Sequence, residues 1–236
     1  LYDSRLSADT KNDDLFSLLI DARHEEAQGG MSRKELTDEV VTMIFGGHET
    51  SATALTWAWY YLAQNRDVEA KLHAELDSVL EGEQLRTEHV PKLKYTRMVV
   101  QEAMRMGPPF WFENRNAIEE DELWGEKIPK GSIIMFSRHA LHNHPEFWDE
   151  ASVFKPERFA PSASKERDKF AYVPFGGGPR ICAGITFATM ELVVALATLA
   201  NDYTIEVDAS ASDEVEARLT MTPKDGIPAR IVKRKR

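Results

Sequence analysis

The sequence predicts a mainly α-helical protein with small β-sheets, on three observations. Apolar residues at Leu36, Val40, Ile44, Leu55, Trp59 and Leu62 keep helical register over an unusually long stretch. A second apolar helical run, marked by Phe187, Met190, Val194, Ala197 and Ala200, follows the only cysteine, Cys182. Strand-like segments are short: Phe110-Trp111-Phe112, Ile133 to Phe136, Tyr203 to Val207, Arg218 to Thr222 and Ala229 to Val232.

The bulk properties set bounds. A chain of 236 residues makes one large domain or two small ones. Hydrophobic residues at 42% and charged residues at 29% fit a globular protein. A formal charge of −10 argues against nucleic acid as the main partner, because a phosphate-binding surface needs positive density. A single cysteine excludes an internal disulfide and fits a reducing compartment. No apolar run is expected to span a bilayer and no signal peptide is visible, so a cytoplasmic, bacterial-type soluble protein is expected. Because the first residue is Leu1 rather than methionine, the start of the gene product is expected to lie upstream.

Taken in order, Asp9 and Thr10 precede an apolar cluster at Leu15, Phe16, Leu18, Leu19 and Ile20 that fades at Gly29-Gly30. Ser32-Arg33-Lys34-Glu35 fits a capping box. The helix it opens runs to about Asn65, roughly 33 residues or ~50 Å at 1.5 Å per residue. Its apolar residues cover most faces after Val40, so it is expected to run through the core. Inside it stands Gly46-Gly47-His48-Glu49-Thr50-Ser51. Each mid-helix glycine costs about 1 kcal/mol relative to alanine. The pair therefore marks a close approach, a local opening of the helix, or simple packing against a neighbouring helix.

Val68, Leu72, Leu76 and Val79 space the next helix, closed by Gly82, and Pro91 to Met106 gives another, stopped by Gly107-Pro108-Pro109. On the latter Glu102 and Arg105 are three apart and share a face; alone they read as a surface ion pair. Ile128-Pro129-Lys130-Gly131 is a turn between strands. Asn143 is placed as the cap of a short helix with Pro145 in its first turn. His139, His142 and His144 match no metal-ligand spacing and read as structural. Val153 to Lys169 is irregular. Asp225-Gly226 suits a hairpin between the last two strands, and Lys233 to Arg236 a solvated end.

The chemistry concentrates at Phe175-Gly176-Gly177-Gly178-Pro179-Arg180-Ile181-Cys182-Ala183-Gly184. A glycine loop, a thiol and a helix start in that order make an electropositive seat, because the first N–H groups of a helix lack internal partners. Such seats favour thiolate, the form that binds metal or attacks as a nucleophile.

The pattern Phe175-x-x-Gly178-x-Arg180-x-Cys182-x-Gly184 resembles the cysteine-loop signature of the cytochrome P-450 family, the haem-thiolate monooxygenases. The likeness continues through Phe187, Ala188 and Glu191. Gly46 to Ser51 resembles the oxygen-binding segment of that family's central helix. Glu102-Ala103-Met104-Arg105 resembles its Glu-x-x-Arg helix, and Pro156-Glu157-Arg158-Phe159 a further motif in the expected order. The fold implied is the C-terminal portion of the cytochrome P-450 fold. Residues 1–236 are then one haem-binding catalytic domain lacking its N-terminal half, since family members are considerably longer.

The resemblance implies haem b with Cys182 as axial thiolate ligand, an arrangement for which this family is the known example. It places Phe175 against the haem and the glycines, Gly178 and Gly184 among them, where backbone N–H groups reach the sulfur. Arg180 and Arg115 would pair with haem propionates. Gly46 and Gly47 would leave room for O2, and Glu49 and Thr50 would deliver protons. Glu102, Arg105 and Arg158 would form a buried charge network locking the cysteine loop to its helix, overturning the surface-pair reading. Phe110 and Trp111 would line an apolar substrate pocket or serve as plain core aromatics.

The function implied is insertion of one atom of O2 into a small apolar organic substrate, with electrons from a ferredoxin or flavin reductase. Two alternatives are a peroxide-using haem-thiolate enzyme and a cofactor-free module without activity. A cysteine hydrolase built on Cys182 explains neither the Glu-x-x-Arg helix nor the glycine pair. A missing N-terminal half, or self-association, would cover the exposed side of the central helix.

Overall fold

The computed structural model describes residues 14–25, 32–208 and 211–234. Asp9, Thr10 and Gly29-Gly30 lie outside them. The first described helix, α1, is Leu15–Glu25. The capping box at Ser32 is present in both directions: the Ser32 N–H donates to Glu35 Oε2 at 2.6 Å, and the Glu35 N–H to Ser32 Oγ at 3.2 Å. It opens α2, Arg33–Gln64, a helix of 32 residues that continues through Gly46 and Gly47 without a break.

Two compact units divide within α2, Leu1–His48 and Glu49–Arg236. In the first, Ile20 and Leu36 are buried, whereas Val41, Ile44 and Phe45 are 58, 66 and 46% exposed. The expectation that α2 runs through the core from Val40 is therefore corrected: no residue from Val40 to Thr50 is buried, and buried positions recur from Ser51 onward.

The core of the second unit is assembled from four helices. Ala54, Ala58 and Leu62 of α2 join Leu72, Leu76 and Leu80 of α3 (Arg66–Leu80). Val99, Val100 and Ala103 of α4 (Lys94–Met106) and Leu192, Val193 and Leu196 of α7 (Ile185–Asp202) complete it. These positions recur at three and four residues, so each helix turns one stripe inward. By length and composition α7 is apolar enough to cross a bilayer, contrary to the expectation of no such run, but its inward stripe is core. Phe187 and Met190, expected on that stripe, are exposed.

At the end of α4 a Cβ built on Gly107 would lie 2.5 to 2.9 Å from the Trp57 ring, so only glycine admits this contact. The Trp57 indole N–H donates to the Met221 carbonyl at 2.8 Å, satisfying a donor that burial would otherwise leave unpaired.

Among the described residues, four two-stranded antiparallel sheets decorate the helices. β1 (Phe112–Asn116) pairs with β4 (Ile133–Ser137), from Phe112 opposite Ser137 to Asn116 opposite Ile133. The first strand thus starts at Phe112; Phe110 and Trp111 precede it. Between these strands lies a hairpin the sequence did not announce, β2 (Asp121–Leu123) and β3 (Glu126–Ile128). Its residues are mostly charged and exposed, so no apolar alternation marks them.

Asn143 does not start a helix. Ser137 caps α5 (Arg138–His142), accepting the Ala140 N–H at 3.1 Å, and Asn143 closes its C-terminal end. A 3-10 turn, Pro156–Phe159, and α6, Pro161–Ser164, follow. After α7, β5 (Tyr203–Val207) pairs with β8 (Ala229–Lys233), and β6 (Val215–Ala217) with β7 (Met221–Pro223). The expected hairpin between the last two strands is absent among the described residues. Gly226 does turn the chain at φ +73°, but Pro223 and Pro228 flank it and have no N–H to close a ladder.

Candidate cofactor site

The loop before α7 is shaped by its own backbone. The Cys182 N–H donates to the Phe175 carbonyl at 2.9 Å and the Gly176 N–H to the Val173 carbonyl at 3.0 Å. Gly176 and Gly178 sit at φ +76° and +68°, the left-handed region where a side chain is strained. A 3-10 turn at Gly178–Arg180 leads to Cys182, whose thiol is exposed, and Gly184 caps α7. Phe175 packs against the helical core while Arg180 stays exposed. The loop is thus anchored through its aromatic side and presents the thiol outward, beside the N-terminal end of an 18-residue helix.

Against the loop stands a charge cluster. Glu113 of β1 takes Arg115 on Oε1 and Arg138 on Oε2. A Cβ on Gly176 would meet the Arg138 guanidinium at 3.1 Å and the Glu113 carboxylate at 3.4 Å. Gly176 therefore serves two needs, its φ and this approach. Burial alone would raise the Glu113 carboxyl, but hydrogen bonds from Arg115 and Arg138 outweigh it and hold the group below the usual glutamate range. Arg115 also lies 5.9 Å from the centre of the Phe136 ring. Sequence reasoning reached Arg115 and missed Glu113 and Arg138; a Glu-x-Arg pair on a strand carries no signal until Arg138 is folded against it.

Glu102 and Arg105 are both fully buried and joined by two hydrogen bonds of 2.8 and 2.9 Å. Glu102 also accepts the Lys155 N–H at 3.0 Å and lies 3.3 Å from Arg158 Nε, an ion pair without hydrogen-bond alignment. Arg105 donates further to the carbonyls of His142 at 2.9 Å and Ala151 at 2.8 Å. So the structure brings Glu102, Arg105 and Arg158 together. The link onward to the cysteine loop is His142, whose Nε2 accepts the Val173 N–H at 2.9 Å, two residues before Phe175. Burial, then the charges of Arg105 and Arg138, push the His142 pKa down to about 3, so the ring is neutral and able to accept.

On α2, Glu49 Oε1 accepts the Thr220 hydroxyl at 2.6 Å, and the Ser51 hydroxyl donates to Glu191 of α7 at 2.7 Å. Thr50 lies between them in sequence. Gly46 and Gly47 keep ordinary helical backbone, so the expected opening of the helix is not seen. Phe110 and Trp111 are half-buried, and the Trp111 indole donates to the Arg218 carbonyl at 2.9 Å.

The donor set says what kind of group this site fits. Among the described residues no three His, Cys, Asp or Glu side chains are placed to hold a metal. Cys182 can therefore serve a metal only as one ligand of an ion that brings its others with it. Arg180 and Arg115 would supply the cations that the acidic arms of a macrocyclic cofactor need. An exposed thiol with two arginines is a donor set that would suit haem, a metal that brings its other ligands with it.

Comparison with known sequences agrees. A sequence model of the family described as Cytochrome P450 matches residues 2–228. Cyclooctatin synthase of Streptomyces melanosporofaciens is 41% identical over 201 residues, 85% of this chain and 44% of that protein. Pentalenene oxygenase of Streptomyces avermitilis is 36% identical over 203 residues, 86% of this chain and 45% of that protein. Cytochrome P450 4V2 of Rattus norvegicus is 34% identical over 232 residues, 97% of this chain and 44% of that protein. The chain belongs to the cytochrome P450 family. It spans just under half the length of these relatives.

Proposed function

We propose that this chain is the haem-carrying, oxygen-activating part of a monooxygenase acting on a small apolar organic substrate. The reaction consumes O2, two electrons and two protons, placing one oxygen atom in the substrate and the other in water. Electrons come from a ferredoxin or flavin reductase. The observation that carries the reading is the exposed Cys182 thiol on a loop closed by its own N–H to Phe175. The relatives named for pentalenene oxygenation and cyclooctatin synthesis support an apolar substrate class.

Haem, when bound, supplies the redox chemistry and binds O2, with the thiolate sulfur favouring O–O cleavage. The chain's residues do the rest. Cys182 Sγ would hold the metal, and Arg180 and Arg115 would hold the carboxylate arms. Glu113 keeps Arg115 and Arg138 from repelling each other. Glu49 and Thr50 hold and move the proton as general acid and alcohol relay. Gly46 and Gly47 leave the helix face free of side chains, and Phe110 and Trp111 wall the substrate side. The Glu102–Arg105–Arg158 network, acting through His142, fixes the height of the cysteine loop.

The deciding measurement is the absorption spectrum of the reduced, haem-loaded protein under carbon monoxide. A strongly red-shifted Soret band is expected, and it disappears in Cys182→Ser. An unshifted band in the unaltered chain, or none, overturns thiolate ligation. Thr50→Ala is expected to divert electrons from product to peroxide; unchanged coupling would remove the monooxygenase assignment.

A further inference from the structure

We infer that Thr220 is a positioning residue for Glu49, holding the carboxylate from which the proton is delivered; this rests on the proposed role of Glu49. Thr220 lies far from Glu49 in sequence, in the segment leading into β7, and no motif draws attention to it. In the fold it is 2% exposed and its hydroxyl donates to Glu49 Oε1 at 2.6 Å.

The backbone that carries this hydroxyl is fixed by three hydrogen bonds. The next residue, Met221, receives the Trp57 indole N–H on its carbonyl at 2.8 Å and donates its own N–H to the Pro109 carbonyl at 2.8 Å. Two residues before Thr220, the Arg218 carbonyl takes the Trp111 indole N–H at 2.9 Å. Residues 218–221 are thereby strapped to α2 and to the double-proline bend after α4. Glu49 and Trp57, the two α2 contacts, are about 12 Å apart along the helix axis. Thr220 thus presents a hydroxyl whose place is set by backbone contacts, not by Glu49.

A glutamate has three rotatable bonds and no intrinsic preference among its extended conformers. The Thr220 hydrogen bond engages Oε1, which leaves Oε2 as the oxygen from which, in this proposal, the proton is delivered. Fixing one oxygen aims the other, and a misplacement of about 1 Å in a reacting group costs on the order of 100-fold in rate. Thr220 touches neither substrate nor cofactor in this scheme; it acts through Glu49.

The test uses the haem-loaded protein with a ferredoxin and its reductase, without substrate. O2 consumption and peroxide release are followed in H2O and D2O. Glu49→Gln and Thr220→Val are both expected to raise the peroxide fraction several-fold and to change the solvent isotope effect. Thr220→Ser, which keeps the hydroxyl, restores both values, and the double variant is no worse than Glu49→Gln alone. If Glu49→Gln acts and Thr220→Val behaves as the unaltered protein, this inference falls and the role of Glu49 stands. If Glu49→Gln itself has no effect, both fall. Should Thr220→Val lose haem, Thr220→Ala and a urea double-mutant cycle on the contact decide: additive midpoint shifts overturn the inference, and non-additive shifts support it.

Discussion

The Ser51 hydroxyl donates to the Glu191 carboxylate at 2.7 Å, tying α2 to the helix that follows Cys182 across 140 positions of sequence. Ser51 is buried. Ser51→Ala removes the donor and leaves a carboxylate short of a partner. A loss of about 1–2 kcal/mol in urea unfolding is expected, with an unchanged m-value. Glu191→Gln, which keeps an acceptor, should lose less. Equal losses for the two would show that charge, not the hydrogen bond, carries the contact.

Glu102 and Arg105 predict a larger effect. Arg105→Leu leaves Glu102 buried with only the Lys155 N–H and the offset Arg158 contact, and about 3–5 kcal/mol should be lost. Arg105→Lys restores charge but not the two-pronged geometry, so it should recover only part. Denaturant titration of both variants checks this, together with haem retention, since His142 passes the disturbance to Val173.

Acid stability follows from His142. Folded, it stays neutral down to about 3, while in the unfolded chain it titrates near its ordinary value, about 6.5. Between those values the unfolded chain takes up a proton that the folded one refuses. Stability contributed by this group is thus complete above about pH 6.5 and falls on acidification, by up to ~1.4 kcal/mol per pH unit. Subtracting the stability profile of His142→Gln from that of the unaltered protein should isolate that slope. Parallel profiles would contradict it.

Gly107→Ala places a methyl group within 2.5 to 2.9 Å of three Trp57 ring atoms. Trp57 is buried and its indole is held by Met221, so it cannot retreat freely. A loss of about 1–3 kcal/mol is expected. Trp57→Phe in the same background should relieve part of it, measured by thermal melts of the single and double variants.

The sequence made the long helix, the Glu-x-x-Arg helix and the cysteine loop legible because each writes its cause locally: a capping box at Ser32, spaced apolar residues, glycines before a lone thiol. Glu113, Arg138 and Thr220 were not legible, since each acquires meaning from a partner that only the fold brings near. Tyr203 to Val207 and Ala229 to Val232 were located, but Arg218 to Thr222, read as one strand, is a bend at 218–220 followed by β7, whose partner is the unannounced β6 rather than β8. His142 read as structural, and so it is, but its neighbours gave no hint that it would hand the charge network on to the loop.

Arg105 spends all five of its N–H groups: two on Glu102, one on the His142 carbonyl, one at 3.4 Å on the Asn143 side chain and one on the Ala151 carbonyl. Glu102 is in reach once α4 has formed, but the other three acceptors lie within residues 142–151 and arrive only when loops of about 40 residues have closed. Such closures carry an entropic cost that grows only with the logarithm of loop length, but they must be met before this guanidinium gains its last three partners. Arg105 is therefore a late clasp in the order of assembly. A chain that has formed its helices but not yet seated residues 142–151 would carry an ion pair with three N–H groups still unspent in its interior, a state with every incentive to finish or to come apart.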